Sequence, residues 1–205
     1  VHIFDPIEET LPPPGRYTVS DGKENAIFSS RDSALSVEYE QAFNQNEKID
    51  LAPTSLFKSA DAYYQSDRFE KSSELYAKFL KNYPDHDYSI RAIYQLGLTN
   101  ARIGLREEAL ERFNQVVDKY PQDNLAVESM LRIADVWIAE NQWEKALNSY
   151  NRLELSASDS EVVLLSKLQR GLLLYALAQY DAAELIFSQI IQSDYESELT
   201  LQAIY

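Results

Sequence analysis

Apolar residues recur along most of this chain at a fixed spacing of 37 residues. Each repeat has a small residue and, four positions later, an aromatic residue, a spacing that falls on one face of an α-helix. The small residues are Ser72, Ala109, Ala146 and Ala183, and the aromatic residues are Tyr76, Phe113, Tyr150 and Phe187. A period of this length predicts stacked helical hairpins, because one hairpin cannot bury its apolar face without a neighbour.

The same pattern predicts where the two helices of each repeat meet and end. A second set of small residues, in the first helix of each repeat, would let the two helices approach closely: Ala60, Gly97, Ala134 and Gly171. Pro84 and Pro121 should end the second helices of repeats 1 and 2, since proline cannot continue a helix. Asp87 and Asp123 should cap the helices that follow, by accepting hydrogen bonds from unpaired amides.

The chain is predicted to have three parts. Residues 1–32 contain the segment Leu11-Pro12-Pro13-Pro14-Gly15, which cannot be helical, and are expected to form an extended, partly disordered arm. An alternative is that this arm docks on the repeats through its apolar residues. Residues 33–50 are predicted to be a leading helix and linker, and 53–205 an array of four repeats plus the start of a fifth.

The end of the chain keeps the same register. Ala203-Ile204-Tyr205 repeats Ala92-Ile93-Tyr94 at a spacing of 111 residues, which is three periods. The chain would therefore stop inside the first helix of a fifth repeat. We expect from this that it is a fragment of a longer array.

Repeat 2 resembles the tetratricopeptide motif. Leu96-Gly97, Ala109, Phe113 and Pro121 match its Leu-Gly, Ala-x3-Phe and Pro positions. The resemblance implies an all-α fold, a tetratricopeptide-like right-handed α-solenoid of helix–turn–helix repeats. The stretch from Tyr83 to Pro121 is similar to two groups of bacterial envelope proteins, the Tol–Pal-associated periplasmic coordinator and the outer-membrane assembly lipoprotein. This likeness implies a periplasmic adaptor without enzymatic activity, and a cytoplasmic location is the alternative.

The family resemblance also implies a partner-binding surface, the concave face made by the first helices. Ten residues of this chain match its positions: Phe57, Tyr64, Arg91, Tyr94, Leu98, Leu131, Ile138, Leu168, Leu172 and Tyr175. We expect these side chains to hold a partner peptide or helix by apolar anchors. The alternative is that further repeats, the arm or a second copy covers this face. Carboxylate clamping is excluded, because Asp61 and Glu128 would repel the ligand's charge.

Composition narrows the function further. The chain has 19 basic and 33 acidic residues, a net charge of −14, so nucleic acid is not an expected partner. No run of about 18 apolar residues is present, so direct membrane insertion is not expected either. It has no cysteine and only two histidines, His2 and His86, so we expect no metal, no cofactor and no catalytic residues. A protein–protein scaffold is the favoured function. A helical non-catalytic domain of a larger cell-wall enzyme and a self-associating structural subunit are the alternatives.

Overall fold

The computed structural model describes residues 52–193 together with Val37. The regular secondary structure within residues 52–193 is entirely α-helical. The helices are α1 Ala52–Gln65, α2 Phe69–Asn82, α3 Ser89–Arg102, α4 Arg106–Lys119, α5 Asn124–Ala139, α6 Trp143–Ser156, α7 Ser160–Ala176 and α8 Tyr180–Ile191. The predicted arm at 1–32, the leading helix at 33–50 and the start of a fifth repeat after residue 193 lie outside the described residues, apart from Val37.

The helices fall into two compact units, an N-terminal unit with α1–α4 and a C-terminal unit with α5–α8. Within each unit, every helix packs against the next one along the chain. The pairs α1/α2, α3/α4, α5/α6 and α7/α8 are hairpins with three-residue turns, and they correspond to the four predicted repeats. The predicted all-α fold of helix–turn–helix repeats is confirmed.

Each hairpin turns at one residue with a left-handed backbone. These residues are spaced by 37 and have φ between 56° and 80°: Asp67, Gly104, Asn141 and Ala178. In each turn, the next amide donates a hydrogen bond to a carbonyl five residues earlier, for example from Gln179 N to Leu174 O at 2.9 Å. This pattern is the Schellman ending of a helix. A left-handed alanine is strained, because its Cβ crowds the following carbonyl oxygen.

Small residues in α3 and α7 set the distance to the second helix of each hairpin. A Cβ atom placed on Gly97 would lie 2.7 Å from Cε1 of Phe113, and one placed on Gly171 would lie 2.6 Å from Cε1 of Phe187. Real Cβ atoms do not approach other atoms this closely, so each aromatic ring occupies the space that a side chain would need. The predicted close approach is confirmed in these two repeats.

The core of the N-terminal unit is built around one aromatic ring. Phe57 meets Tyr76 and Phe79 edge-on, each with ring centroids 5.7 Å apart, and it stacks on Tyr88 at 4.7 Å. Burial of large rings gives the greatest apolar stabilisation per residue, and edge-to-face pairs add to it. These contacts join α1, α2 and the start of α3 into one core.

The C-terminal unit has two adjoining clusters of buried residues. One, centred on α5 and α6, contains Ala134, Ile138, Ala146 and Tyr150, and Leu173 of α7 completes it. The other joins α7 to α8 and contains Leu164, Leu168, Leu174, Ala183, Ile186 and Ile190. Because α7 contributes to both clusters, it holds the two hairpins of this unit together.

The proline positions were predicted correctly. Helix α2 ends at Asn82 and α4 ends at Lys119, and each is followed by a Tyr-Pro pair. In both cases the tyrosine amide still bonds back into the helix, from Tyr83 N to Phe79 O at 2.8 Å and from Tyr120 N to Val116 O at 2.9 Å. Proline then stops the helix because it has no amide hydrogen to donate.

The capping predictions were half right. Asp123 caps α5, because its Oδ1 accepts a hydrogen bond from Leu125 N at 2.9 Å. The prediction for Asp87 is wrong: α3 begins at Ser89, and the residue at its cap position, Tyr88, makes no side-chain cap. The amide of Tyr88 is instead paired with Nδ1 of His86 at 3.1 Å.

Candidate functional site

The ten residues predicted to contact a partner differ widely in exposure. Arg91 and Tyr175 are exposed, and Leu131 and Leu172 are half-buried. The other six are buried: Phe57, Tyr64, Tyr94, Leu98, Ile138 and Leu168. For these six, the expected open surface is not found. Phe57 is enclosed by three other rings and Leu168 lies within a core cluster, because neighbouring side chains close over positions that the repeat pattern alone places on a face.

Helix α3 is buried around its whole circumference. Every residue from Ala92 to Asn100 is buried, so no side of the helix is left open over more than two turns. Gln95 is only 3% exposed, and its Oε1 atom accepts no hydrogen bond. We call Arg91, Tyr94, Gln95, Leu98 and Arg102 the α3 face; three of them, Arg91, Tyr94 and Leu98, are predicted binding residues.

Helix α7 holds four equivalent positions, 74 residues later, at Leu165, Leu168, Gln169 and Leu172, and is more open. Gln169 and Leu172 are half-buried, and Tyr175 is 53% exposed. Tyr175 also meets the exposed ring of Tyr180 edge-on, with centroids 5.4 Å apart. We call Leu165, Gln169, Leu172 and Tyr175 the α7 face; Leu168, on the same helix, is buried in the core. An open aromatic pair beside aliphatic side chains is the type of surface that partners use as an anchor.

A buried acid–tyrosine pair joins the helices of repeat 1. Tyr76 donates its hydroxyl hydrogen to Oδ1 of Asp61. Burial raises the pKa of the Asp61 carboxyl, while the Tyr76 hydrogen bond and the positive charges of Arg91 and Lys58 act in the opposite direction. Burial, together with the nearby Asp61 carboxylate, raises the pKa of Tyr76. The pair therefore serves as a polar link inside the unit.

Repeat 3 has the same residue types at the same positions. Arg132 Nη1 donates to Oδ2 of Asp135 at 2.7 Å, and Tyr150 stands where Tyr76 stands in repeat 1. Burial raises the pKa of Asp135 to about 6, even though Arg132 lowers it. The ion pair therefore offsets only part of the cost of removing the carboxylate from water. Burial also raises the pKa of Tyr150.

The repeats thus alternate between two types, which our sequence reasoning missed. Repeats 1 and 3 combine a basic residue, Ala-Asp and Tyr, whereas repeats 2 and 4 combine Gln, Gly-Leu and Phe. The corresponding sets are Lys58, Ala60-Asp61 and Tyr76; Arg132, Ala134-Asp135 and Tyr150; Gln95, Gly97-Leu98 and Phe113; and Gln169, Gly171-Leu172 and Phe187. A second period of 74 residues would have revealed this alternation.

Within residues 52–193, no group of three or more His, Asp or Glu side chains could hold a metal ion. None of the helices in that range combines the length and the apolar content needed to cross a bilayer.

Comparison with known families identifies the hairpins. The tetratricopeptide repeat family model matches residues 54–86, 91–123 and 128–160, which correspond to α1/α2, α3/α4 and α5/α6. These segments are tetratricopeptide repeats. The α7/α8 hairpin continues the tetratricopeptide register, because Gly171, Ala183 and Phe187 stand 74 residues after Gly97, Ala109 and Phe113.

Solved structures share this tetratricopeptide fold. A tetratricopeptide repeat protein from Parabacteroides merdae aligns with a TM-score of 0.58 at 20% identity, covering 74% of this chain and 57% of that one. The nearly identical TPR-like repeats of a kinesin-light-chain candidate from Podosopora anserina align with a TM-score of 0.63 at 16% identity, covering 82% and 90%. MamA from Desulfovibrio magneticus aligns with a TM-score of 0.56 at 16% identity, covering 86% and 100%.

These likenesses establish the fold of the chain. The aligned part spans a little over half of the Parabacteroides protein. No curated protein sequence matches this chain at a significant level. The tetratricopeptide fold is generally a non-catalytic interaction module.

Proposed function

We propose that this chain is a non-enzymatic scaffold that binds a protein partner through the α7 face of its C-terminal unit. The observation that supports this most strongly is the exposure of Tyr175 and Tyr180 beside the half-buried Leu172. Tetratricopeptide arrays generally work as interaction modules, and their first helices supply extended binding surfaces. The α7 face belongs to the first helix of repeat 4.

The chemistry of the α7 face favours a peptide or helix with apolar anchors. The basic side chains beside it are already paired: Arg170 Nη1 lies 2.8 Å from Oε2 of Glu154 and 2.8 Å from Oδ1 of Asn151, and Lys167 Nζ lies 3.8 Å from Oε1 of Glu154. Charges that are paired within the unit are not free to bind an acidic ligand. Burial of aromatic and aliphatic area at ~25 cal/mol per Å2 would then provide most of the affinity, less the cost of ordering the partner.

A photo-crosslinking experiment tests this site. A photoreactive phenylalanine analogue at Tyr175 should join the chain to its partner in extracts of the native organism. The same analogue at Leu185, which is 61% exposed on α8, is the matched control and should not give the same product. Mass spectrometry of the adducts identifies the partner. Equal yields of one product from both positions would contradict binding at the α7 face.

The bacterial envelope is the proposed location. The supporting features are the Tyr83-Pro84 and Tyr120-Pro121 helix endings, which resemble those of envelope adaptors of this repeat class. Fractionation of cells that make the protein from its native gene should place it in the periplasmic or membrane-associated fraction. Recovery with cytoplasmic markers would contradict this location and would leave the proposed binding face unaffected.

Self-association is a second candidate activity, supported by the surface of α8. Leu185 is 61% exposed and Ile191 is 45% exposed, so the last described helix presents apolar side chains to solvent. If copies of the chain stack through α8, the sedimentation coefficient should rise with protein concentration. Leu185→Asp should abolish that rise, and a concentration-independent monomer would contradict self-association.

A further inference from the structure

The described parts of the two units differ in charge. Residues 52–121, in the N-terminal unit, hold ten basic and ten acidic side chains, a net charge of 10 − 10 = 0. Residues 122–193, in the C-terminal unit, hold five basic and ten acidic side chains, a net charge of 5 − 10 = −5. The α7 face therefore belongs to an acidic unit, and a partner that docks there meets an excess of carboxylates.

Carboxylates stand at both ends of the α7 face. Glu161 lies four residues before Leu165, so it continues the same stripe of α7 towards the start of the helix, and it is exposed. At the other end of the face, Tyr175 meets Tyr180 of α8. Glu184 lies one turn after Tyr180 on the same side of α8 and is also exposed. The apolar side chains are thus bordered by negative charge at each end.

These two carboxylates are not neutralised within the described part of the chain. In residues 52–193, neither Glu161 nor Glu184 belongs to an ion pair. The basic side chains of α7, Lys167 and Arg170, are both paired with Glu154 of α6. Helix α8 contains no basic residue. The negative charge at the ends of the face is therefore available to a ligand.

Stabilisation of the helices does not account for both carboxylates. Glu161 lies in the first turn of α7, where an acidic residue interacts favourably with the helix dipole. Glu184 lies beyond the first turn of α8, which already has Asp181 as its acidic residue. The dipole effect falls off within that turn, so it gives no reason for an acid at position 184. What Glu161 and Glu184 share is their place beside the exposed pair of Tyr175 and Tyr180.

We propose that the α7 face selects a partner segment in which apolar anchors lie between basic residues. This inference rests on the binding face proposed above and specifies its ligand. Leu172, Tyr175 and Tyr180 contact the anchors, while Glu161 and Glu184 pair with lysine or arginine side chains at the two ends of the segment. The stripe from Glu161 to Tyr175 is about 21 Å long at 1.5 Å per helical residue. The partner segment therefore carries its basic residues roughly that far apart.

The two kinds of contact have different roles in this recognition. Burial of the anchors provides most of the affinity, because exposed ion pairs add little each. The carboxylates act mainly on choice of partner: they steer a basic segment towards the face and repel an acidic segment that carries the same anchors. Specificity at this face is thus set by charge at its ends and affinity by the rings between them.

Selection from a library of random 16-residue peptides displayed on phage tests the proposal on the full chain. Phage that bind Tyr175→Ala are removed first, so that the peptides then captured by the wild type depend on the α7 face. We expect these peptides to share apolar residues with Lys or Arg on both sides. Captured peptides without an excess of basic residues would overturn this inference and leave the α7 face standing. Failure to capture any peptide that discriminates against Tyr175→Ala would count against the face itself, and the inference would fall with it.

Neutral variants of the two acids test where the charge acts. Glu161→Gln combined with Glu184→Gln should weaken binding of a captured peptide at least about threefold at low salt, and about 0.5 M NaCl should remove the difference by screening. Glu107→Gln combined with Glu144→Gln is the matched control, because it removes the same charge at exposed first-turn positions of α4 and α6. The control should bind as the wild type does, and circular dichroism verifies folding. Equal affinities of the two double variants for the peptide would overturn the proposal.

Discussion

At the scale of single residues, the two repeat types differ in the volume and the charge of the side chains that meet between their helices. Where the second helix supplies phenylalanine, the first supplies glycine, because the ring fills the place of a Cβ atom. Where the second helix supplies tyrosine, the first supplies alanine followed by aspartate, and in repeat 1 the tyrosine hydroxyl is paired with that carboxylate. Each combination of residue types fills the space between the two helices in a different way. Moving a residue from one repeat type into the other should therefore lower the free energy of unfolding.

Gly97→Ala tests the volume argument. The new Cβ would lie 2.7 Å from the ring of Phe113, which is buried. We expect a loss of about 1–3 kcal/mol in the free energy of unfolding from overpacking, against a gain of about 1 kcal/mol from helix propensity. Urea denaturation measures the net change. Gly171→Ala is the matched control and should cost less, because Phe187 is only half-buried; a stabilised Gly97→Ala protein would contradict the argument.

Asp135 should give stability a specific pH dependence. Its folded pKa of about 6 lies above its ordinary value of 3.8, so the folded state binds this proton more tightly than the unfolded state does. The free energy of unfolding therefore falls as pH rises from about 4 to about 6, by up to about 3 kcal/mol from this group. In Asp135→Asn this part of the slope should disappear, measured by urea denaturation at several pH values. Glu184→Gln, at an exposed position on α8, is the control and should keep the slope. An unchanged slope in Asp135→Asn would contradict the raised pKa of Asp135.

At the scale of helices and turns, the four repeats share their backbone conformation more closely than their residue types. The four hairpin turns share one left-handed residue, yet Asp, Gly, Asn and Ala occupy that position. Capping varies in the same way: Asp123 and Asp159 cap α5 and α7 through their side chains, whereas α3 has no side-chain cap. Asp159 was missed in the sequence because no proline marks the end of the preceding helix. Asp87 was wrongly predicted as a cap because α3 begins at Ser89. Its cap position is therefore Tyr88, one residue after Asp87.

Ala178→Gly tests the turn geometry. Ala178 has φ of 58°, a conformation that strains a residue with a Cβ atom. We expect glycine to raise the free energy of unfolding by up to about 1 kcal/mol, the relief of strain being partly offset by the greater freedom of glycine in the unfolded chain. Thermal unfolding measures the change. Gly104→Ala, at the equivalent turn with φ of 80°, should shift the melting temperature the other way, and equal shifts in one direction would rule out backbone strain as the cause.

Asp159→Ala tests the cap that the sequence did not reveal. Its Oδ1 accepts a hydrogen bond from Glu161 N at 2.8 Å, at the start of the helix that bears the proposed binding face. Loss of an N-cap costs about 1 kcal/mol of stability. Asp159→Asn retains the oxygen acceptor and should recover most of it. If both variants unfold at the same urea concentration as the wild type, the cap contributes nothing to stability.

At the scale of the whole molecule, the period of 37 was enough to predict the class of fold, the hairpins and their packing residues. The exposure of the binding face could not be predicted in the same way. Phe57 and Leu98 occupy binding positions in the repeat pattern, but their burial depends on neighbours far away in sequence, such as Tyr76, Phe79 and Tyr88 around Phe57. Repeat register fixes the direction of a side chain, whereas its accessibility depends on everything packed around it.

The affinity of the partner for two single variants tests the central claim most directly. Once crosslinking has identified that partner, its dissociation constant is measured for the wild type, Tyr175→Ala and Leu185→Ala, with circular dichroism to verify folding. Tyr175 lies on the α7 face and Leu185 on the exposed side of α8. The account predicts at least about tenfold weaker binding for Tyr175→Ala, a loss of about 1.4 kcal/mol, and wild-type binding for Leu185→Ala. Wild-type affinity in Tyr175→Ala, or a loss confined to Leu185→Ala, would contradict it.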